Sequence, residues 1–441
     1  MKPTQAPAGD PALPHARDVL PARNWARNVT FRRERTARPA SVAQLQDVVA
    51  ASGSVRALGS GHSFNTAADT YGTQVSVSGL PPLCDIDSAA GTATLGAGLR
   101  FAQFTGRLDR AGFALHNLAS LPHISLAGAC ATATHGSGTA NPALSAAVRE
   151  LELVTADGSL VTLRRGDDGF DGAVVSLGAL GVVTRMTLDL RPAYRLRQYV
   201  YEGLPHRTLR EHFTDVTGAA HSVSLFTDWR GEHIRQVWCK ERADDGAPPP
   251  PRRWLGATLA DGPRHPVPGM APGPCTDQSG TPGPWHTLLP HFRAEFTPSS
   301  GDELQSEYFV ASGDAVAAFD ALDAVKRHIA PVLQICEIRT VAADEQWLSP
   351  AYRRDAVAFH FTWTADARRV LPVLPTVEAA LAPFGARPHW GKLFTTPAAE
   401  LERLHPRLGD FRALAARLDP AGTFRNAWSA RTWLPPEAGQ A

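Results

Sequence analysis

Gly59-Ser60-Gly61-His62-Ser63-Phe64-Asn65 follows directly on the short, mostly apolar run Val55-Arg56-Ala57-Leu58. Two glycines around a serine let a backbone turn tightly and present successive N–H groups, a geometry that cradles a phosphate. A histidine inside such a loop is placed to touch whatever the loop holds. An ordinary strand-to-loop turn with a solvated histidine would read the same way, so the rest of the chain has to decide.

At 441 residues the chain is too long for one ordinary core, and two domains are expected. The net charge is +1, with no basic block for nucleic acid and no acidic tail. The arginines of the first forty residues read as a solvated, salt-bridged face. No run approaches the ~18 apolar residues of a membrane span. The first twenty residues contain Pro3, Pro7, Pro11 and Pro14 and no apolar signal core, so a cytoplasmic protein is expected. Cys84, Cys130, Cys239, Cys275 and Cys336 are widely spaced and form neither a CxxC pair nor a zinc pattern. They read as buried free thiols, and no metal is expected. Of the 44 basic residues only Lys2, Lys240, Lys326 and Lys392 are lysines. A lysine in a chemical context therefore stands out, because arginine and lysine are not interchangeable.

Along the chain, Ser41–Ser52 reads as a capped amphipathic helix, with Val42, Leu45, Val48 and Val49 at helical spacing. Val55–Leu58, Val75–Val77, Ala93–Leu95, Glu150–Thr155, Leu160–Leu163 and Val182–Leu190 read as strands, and Phe101–Arg110 as a helix. From about Tyr194 a second region follows. It has strands at Ser222–Trp229, Arg235–Cys239, Leu304–Val310, Leu333–Val341 and Ala356–Trp363. Helices are expected near Asp314–Ala330, Ala367–Ala382 and Ala398–Leu418. Pro248–Pro251 is a polyproline surface loop. Residues 262–290 form a long Pro/Gly-rich loop, which in a compact domain has a functional reason.

Residues 117–138 supply the second informative stretch. Nearly every residue after Ile124 is small or hydroxylated: Ser125-Leu126-Ala127-Gly128-Ala129-Cys130-Ala131-Thr132-Ala133-Thr134-His135-Gly136-Ser137-Gly138. Small side chains, free N–H groups and hydroxyls suit a surface on which a flat ring and a pyrophosphate lie. A tightly packed small-residue turn is the structural alternative. No Walker A lysine and no GxGxxG-opened helix is present, which argues against P-loop and Rossmann sites.

Together, residues 59–65 and 117–138 resemble the two FAD-binding segments of vanillyl-alcohol-oxidase-type flavoproteins. Further stretches narrow the resemblance to alditol oxidases: Ser222-Val223-Ser224-Leu225-Phe226-Thr227-Asp228-Trp229, His265-Pro266-Val267-Pro268-Gly269-Met270, Cys336-Glu337-Ile338-Arg339-Thr340-Val341 and Pro388-His389-Trp390-Gly391-Lys392. The resemblance covers about Asn24 to Asn426. Aldonolactone oxidases share the glycine-histidine loop, the HWGK-like segment and the C-terminal ending. His116 departs from the family pattern, which has proline in Leu-Pro-Asn.

The resemblance implies an α+β, two-domain vanillyl-alcohol-oxidase fold. It implies a loose leader at 1–23, an FAD-binding domain of two subdomains at 24–193, a substrate domain with a large antiparallel sheet at 194–397, and a returning segment at 398–441. FAD is expected to be attached covalently through His62. It would be bound further by Gly59, Ser60, Gly61, Ser63, Phe64, Ser120, Ser125, Gly128, Thr132, His135, Gly136, Gly138 and Val182.

Strand periodicity puts Glu337 and Arg339 on one face beside Leu333, Ile335 and Val341, and puts His360 with Thr362. Charges on such a face are costly to bury unless paired or given a ligand. The bland reading is a structural ion pair and a core histidine. The resemblance carries Ser120, Glu337, Arg339, Thr362 and Lys392 over as substrate contacts, with Arg339, Lys392 and His360 as the catalytic groups. Ala119 matches a position tied to oxygen access. The implied reaction oxidises a terminal alditol hydroxyl to the aldose and reduces O2 to hydrogen peroxide, on a monomer with no nucleic-acid or membrane partner. The alternative is an aldonolactone oxidase or dehydrogenase.

Overall fold

The computed structural model describes residues 20–243, 248–296 and 301–434. Residues 1–19 of the expected leader lie outside this range, as does the end of the returning segment beyond residue 434. The Pro248–Pro251 run is irregular and mostly exposed.

Ser41 caps a helix over Val42–Ala50, its hydroxyl accepting from the Gln44 N–H at 3.2 Å. Leu45 and Val49 on its inner face join Val55, Val75 and Phe424 in one buried cluster. The three-stranded parallel sheet beneath runs in the order Arg35–Ala37, Thr73–Val75, Val55–Ala57. The strand expected at Val75–Val77 ends at Val75. There the Ser76 side chain caps a short 3-10 turn, Val77–Gly79.

A second subdomain is a five-stranded antiparallel sheet. Its order is Cys84–Asp87, Thr92–Gly96, Val182–Asp189, Val148–Val154, Leu160–Arg164. Helix Phe101–Arg110 buries Phe101, Phe104 and Leu108. The C-terminal helices share this core: Leu401, Leu408, Phe411, Trp428 and Trp433 cluster with Leu99, Phe104 and Leu118. The helix expected over Ala398–Leu418 is two, Ala398–Leu404 and Leu408–Leu418, because Pro406 interrupts the hydrogen-bond ladder.

The second domain is built on a ten-stranded antiparallel sheet. Its central order is Arg195–Pro205, His233–Arg242, Ser222–Thr227, Leu333–Val341, Ala356–Thr364, Glu303–Ala311. The longest of these, Arg195–Pro205, escapes sequence reading. Leu196, Val200 and Leu204 recur every fourth residue, a helical spacing, and pairing with His233–Arg242 overrides it. Helices Ala315–Ala324 and Leu374–Leu381 cover one face, where Phe319, Leu322, Leu374 and Val377 pack on Val310, Phe359, Phe361 and Trp363. The opposite face carries the polar side chains.

A register shift between Leu333 and Ile335 corrects one expectation. Ile335 sits on the polar face with Phe226 and Trp238, whereas Leu333 packs with the helix-covered core. Such bulges re-aim side chains, often beside active sites. All five cysteines are buried, and none is in a disulfide.

Candidate active site

The glycine loop and the small-residue segment lie side by side and lock each other. The Ser60 N–H donates to Ser125 Oγ at 3.3 Å, and the Ser125 N–H donates to Ser60 Oγ at 3.1 Å. The fit leaves no room for a side chain at Gly59: an added Cβ would sit 2.2 Å from Ser125 Oγ. Gly61 has φ +72, a conformation that favours glycine. Gly59→Ala is therefore expected to cost about 1–3 kcal/mol of stability through overpacking and to lower the cofactor content of purified protein. A thermal melt and the ratio of visible to 280 nm absorbance check both.

Both segments line one cavity of about 1020 Å³ that runs from the first domain to the polar face of the large sheet. Residues 59–64, Ser120, Ser125, Gly128, Thr132, His135 and Val182 all lie on its wall. Gly136 and Gly138, expected with the cofactor, do not. Gly136 packs on Leu118 and Asn117, and Gly138 bridges to the large sheet, its N–H donating to the Thr340 carbonyl at 3.0 Å. His116 is buried instead, with Nε2 3.2 Å from the Pro142 carbonyl.

His62 stacks on Trp25, ring centroids 5.1 Å apart and planes 19° from parallel. Its Nδ1 is buried with no partner. Burial, helped by Arg100 and His123, pushes its pKa down to about 4, so the imidazole is neutral at ordinary pH. Asn65, last residue of the loop, reaches across to the HWGK segment: Nδ2 donates to the carbonyls of Trp390 and Lys392, both at 2.8 Å. The Phe64 N–H donates to the Gly391 carbonyl at 2.7 Å. The loop that turns around His62 thus also fixes Lys392. An orphaned buried imidazole nitrogen, a glycine cradle and a cavity of this size fit a dinucleotide cofactor such as FAD.

On the sheet, Glu337 pairs in register with His360, and His360 with Glu307 of the neighbouring strand. One row of the sheet thus carries carboxylate, imidazole and carboxylate. Arg339 Nη2 donates to Glu307 Oε1 at 2.7 Å, and its Nε lies 3.7 Å from Glu337 Oε1. Lys392 Nζ donates to Glu307 Oε2 at 2.7 Å. His291 Nε2 lies 2.7 Å from Glu337 Oε1, and His135 Nε2 lies 3.2 Å from Glu307 Oε1. His360 Nδ1 is 3.6 Å from Glu337 Oε2 and 3.4 Å from Arg339 Nη2, while its Nε2 has no partner. Thr362 sits two residues further along the strand, opposite Gln305, and both line the cavity.

Burial alone would raise both carboxyl pKa values. Lys392 and Arg339 outweigh it at Glu307, as Arg339 and His291 do at Glu337, and hold both well below the usual carboxylate range. Burial and Lys392 push His360 down to about 4, leaving it neutral. Burial lowers Lys392 while Glu307 opposes that fall. The site therefore brings two carboxylates, the Arg339 guanidinium, the Lys392 amine and the neutral imidazole of His360 together, with His135 and His291 against the carboxylates.

Sequence reading missed Glu307, His291 and Trp25. Glu307 lies mid-strand between Ser306 and Tyr308, with Gln305 before it on the same face, so it lacks the apolar surroundings that picked out Glu337. His291 follows the Pro/Gly loop and has no periodic signal. That loop nevertheless serves the site: the His291 and Phe292 N–H groups donate to the Ser120 carbonyl at 3.1 and 3.3 Å, and His265, Val267 and Met270 line the cavity.

Two family profiles match the chain: an FAD binding domain over residues 34–164 and D-arabinono-1,4-lactone oxidase over 303–432. The crystal structure of cholesterol oxidase from B. sterolicum superposes with a TM-score of 0.76, covering 94% of this chain and 96% of that one at 15% identity. L-gulono-1,4-lactone dehydrogenase of Mycobacterium tuberculosis is 29% identical, over 93% of this chain and 99% of its own length. Alditol oxidase of a Streptomyces species is 53% identical over 409 residues, 92% of this chain and 97% of its own. The chain belongs to the alditol oxidase family of FAD-linked oxidases.

Proposed function

We propose that this enzyme oxidises the terminal primary hydroxyl of an alditol such as xylitol or sorbitol to the aldose and passes the electrons to O2, yielding hydrogen peroxide. One observation carries the reading: Glu307, Glu337 and Arg339, all buried, and the partly buried His360 and Lys392 line the same cavity as the glycine loop and small-residue segment. FAD would be held by residues 59–64 with Ser120, Ser125, Gly128, Thr132, His135 and Val182, and tethered through His62. When bound, it supplies the two-electron chemistry.

The protein's own groups then have separable tasks. Glu337 accepts hydrogen bonds from substrate hydroxyls, with Ser120 and Thr362 as further hydroxyl partners. Arg339 and Lys392 place positive charge where an alkoxide develops, which lowers the cost of removing the hydroxyl proton. Neutral His360 takes that proton at its unpartnered Nε2 in the tautomer whose Nδ1–H turns to Glu337 and forgoes accepting from Arg339 Nη2. Ala119, buried on the cavity wall, keeps a small side chain where oxygen has to approach.

Among the described residues no helix is long and apolar enough to cross a membrane. We place the enzyme in the cytoplasm as a monomer. The domain division at 24–193, 194–397 and 398–441 belongs to the same reading. The lactone-oxidase profile spans Glu337, Arg339, His360 and Lys392, so a cyclic aldonolactone is the second substrate reading.

Oxygen uptake with peroxide detection tests the acceptor. Xylitol should drive uptake with one peroxide formed per O2 consumed. Polyol-dependent reduction of an artificial acceptor without oxygen uptake would make the enzyme a dehydrogenase.

A further inference from the structure

Glu307 is the most enclosed charge in the site, 1% exposed. Its two oxygens are divided between the two cations: Oε1 takes Arg339 Nη2 and Oε2 takes Lys392 Nζ, each at 2.7 Å. The His389 N–H donates to the Glu307 carbonyl at 2.9 Å, so the backbone entering the HWGK segment is anchored at the same residue. Glu337 cannot substitute for it. That carboxylate is already engaged by His291 at 2.7 Å and lies 3.7 Å from Arg339 Nε.

Two cations converging on one buried pocket repel each other and each resists desolvation. We propose that Glu307 is a positioning residue for the reaction: by bridging Lys392 and Arg339 it holds both against the reacting hydroxyl and keeps Lys392 an ammonium. This rests on the alditol reading above. The groups facing Lys392 are Glu307, Glu337, Arg339, His360 and His389, while His135 lies against Glu307. The three imidazoles are neutral through burial, so with Glu307 gone only Glu337 remains to offset Arg339. Lys392 then loses its proton at a lower pH, and with it the charge that stabilises an alkoxide.

Glu307→Gln keeps the volume and removes the charge. In the FAD-loaded variant, the rate of anaerobic flavin reduction by xylitol is expected to come closest to wild type near pH 6. It should fall at least tenfold further behind by pH 9, as Lys392 deprotonates. Competitive acylation with acetic anhydride, read by peptide mass spectrometry, titrates the amine directly. Only four lysines have to be told apart. The Lys392 midpoint should lie at least one pH unit lower in the variant. A rate loss that runs parallel to wild type at every pH, with an unmoved midpoint, would mean a merely structural role and overturn the proposal.

Should Glu307→Gln fail to accumulate as yellow protein, Glu307→Asp carries the test. Its retained charge predicts a lower rate with a wild-type-shaped profile, and an added alkaline loss with an unmoved midpoint counts against the proposal. If xylitol does not reduce wild-type flavin, the alditol reading fails, while the labelling midpoint still decides the role of Glu307.

Discussion

Replacing Arg339 by alanine is expected to slow flavin reduction by xylitol by about 10²–10³-fold, the usual effect of deleting one preorganised donor at a developing oxyanion. The guanidinium touches three members of the site: Glu307 at 2.7 Å, His360 at 3.4 Å and Glu337 at 3.7 Å. It is 5% exposed, so its loss leaves two buried carboxylates sharing Lys392 and a neutral histidine. Breaking a buried pair by removing one partner costs about 3–5 kcal/mol. Thermal stability should therefore fall along with the rate. Flavin content should hold, because Arg339 makes no hydrogen bond or ion pair with residues 59–65 or 117–134. Arg339→Lys keeps the charge without the fork, and should recover only part of the rate. Stopped-flow reduction and a thermal melt separate the two effects. A wild-type reduction rate in Arg339→Ala would remove the guanidinium from the chemistry.

His62→Ala is expected to have an all-or-none effect on the tether. Wild-type protein should stay yellow after acid precipitation and fluoresce as a band in a denaturing gel. The variant should release all of its flavin to the supernatant. The imidazole is suited to bond formation because burial keeps it neutral, Trp25 fixes its plane, and Nδ1 has no competing partner. Non-covalent FAD should still bind, because the Ser60–Ser125 lock and the Asn65 bonds to the HWGK segment do not involve the His62 ring. Unchanged gel fluorescence in His62→Ala would place the tether elsewhere.

What could be read from sequence follows physical locality. Helix Phe101–Arg110 and strand Leu333–Val341 are found where the pattern puts them, since one continuous periodicity decides each. Strand Arg195–Pro205 is hidden, because its apolar spacing imitates a helix and only its sheet partners fix it. The same division holds for the site. Glu337, Arg339, His360 and Thr362 can be paired within their own strands. Glu307 acquires its meaning only across strands, when Arg339 and Lys392 arrive from elsewhere in the chain. His291 is placed by a loop whose path depends on tertiary bonds to Ser120, and no local pattern encodes those. Leu333 was misplaced by a single register shift.

The charges around Glu307 and Glu337 are proposed to serve an open-chain polyol. Anaerobic mixing of the yellow enzyme with xylitol, sorbitol or gulono-1,4-lactone, followed by visible absorbance, tests this. Rapid bleaching by the two polyols, with the lactone slow or inert, is the predicted result. Bleaching by the lactone alone would contradict the alditol assignment.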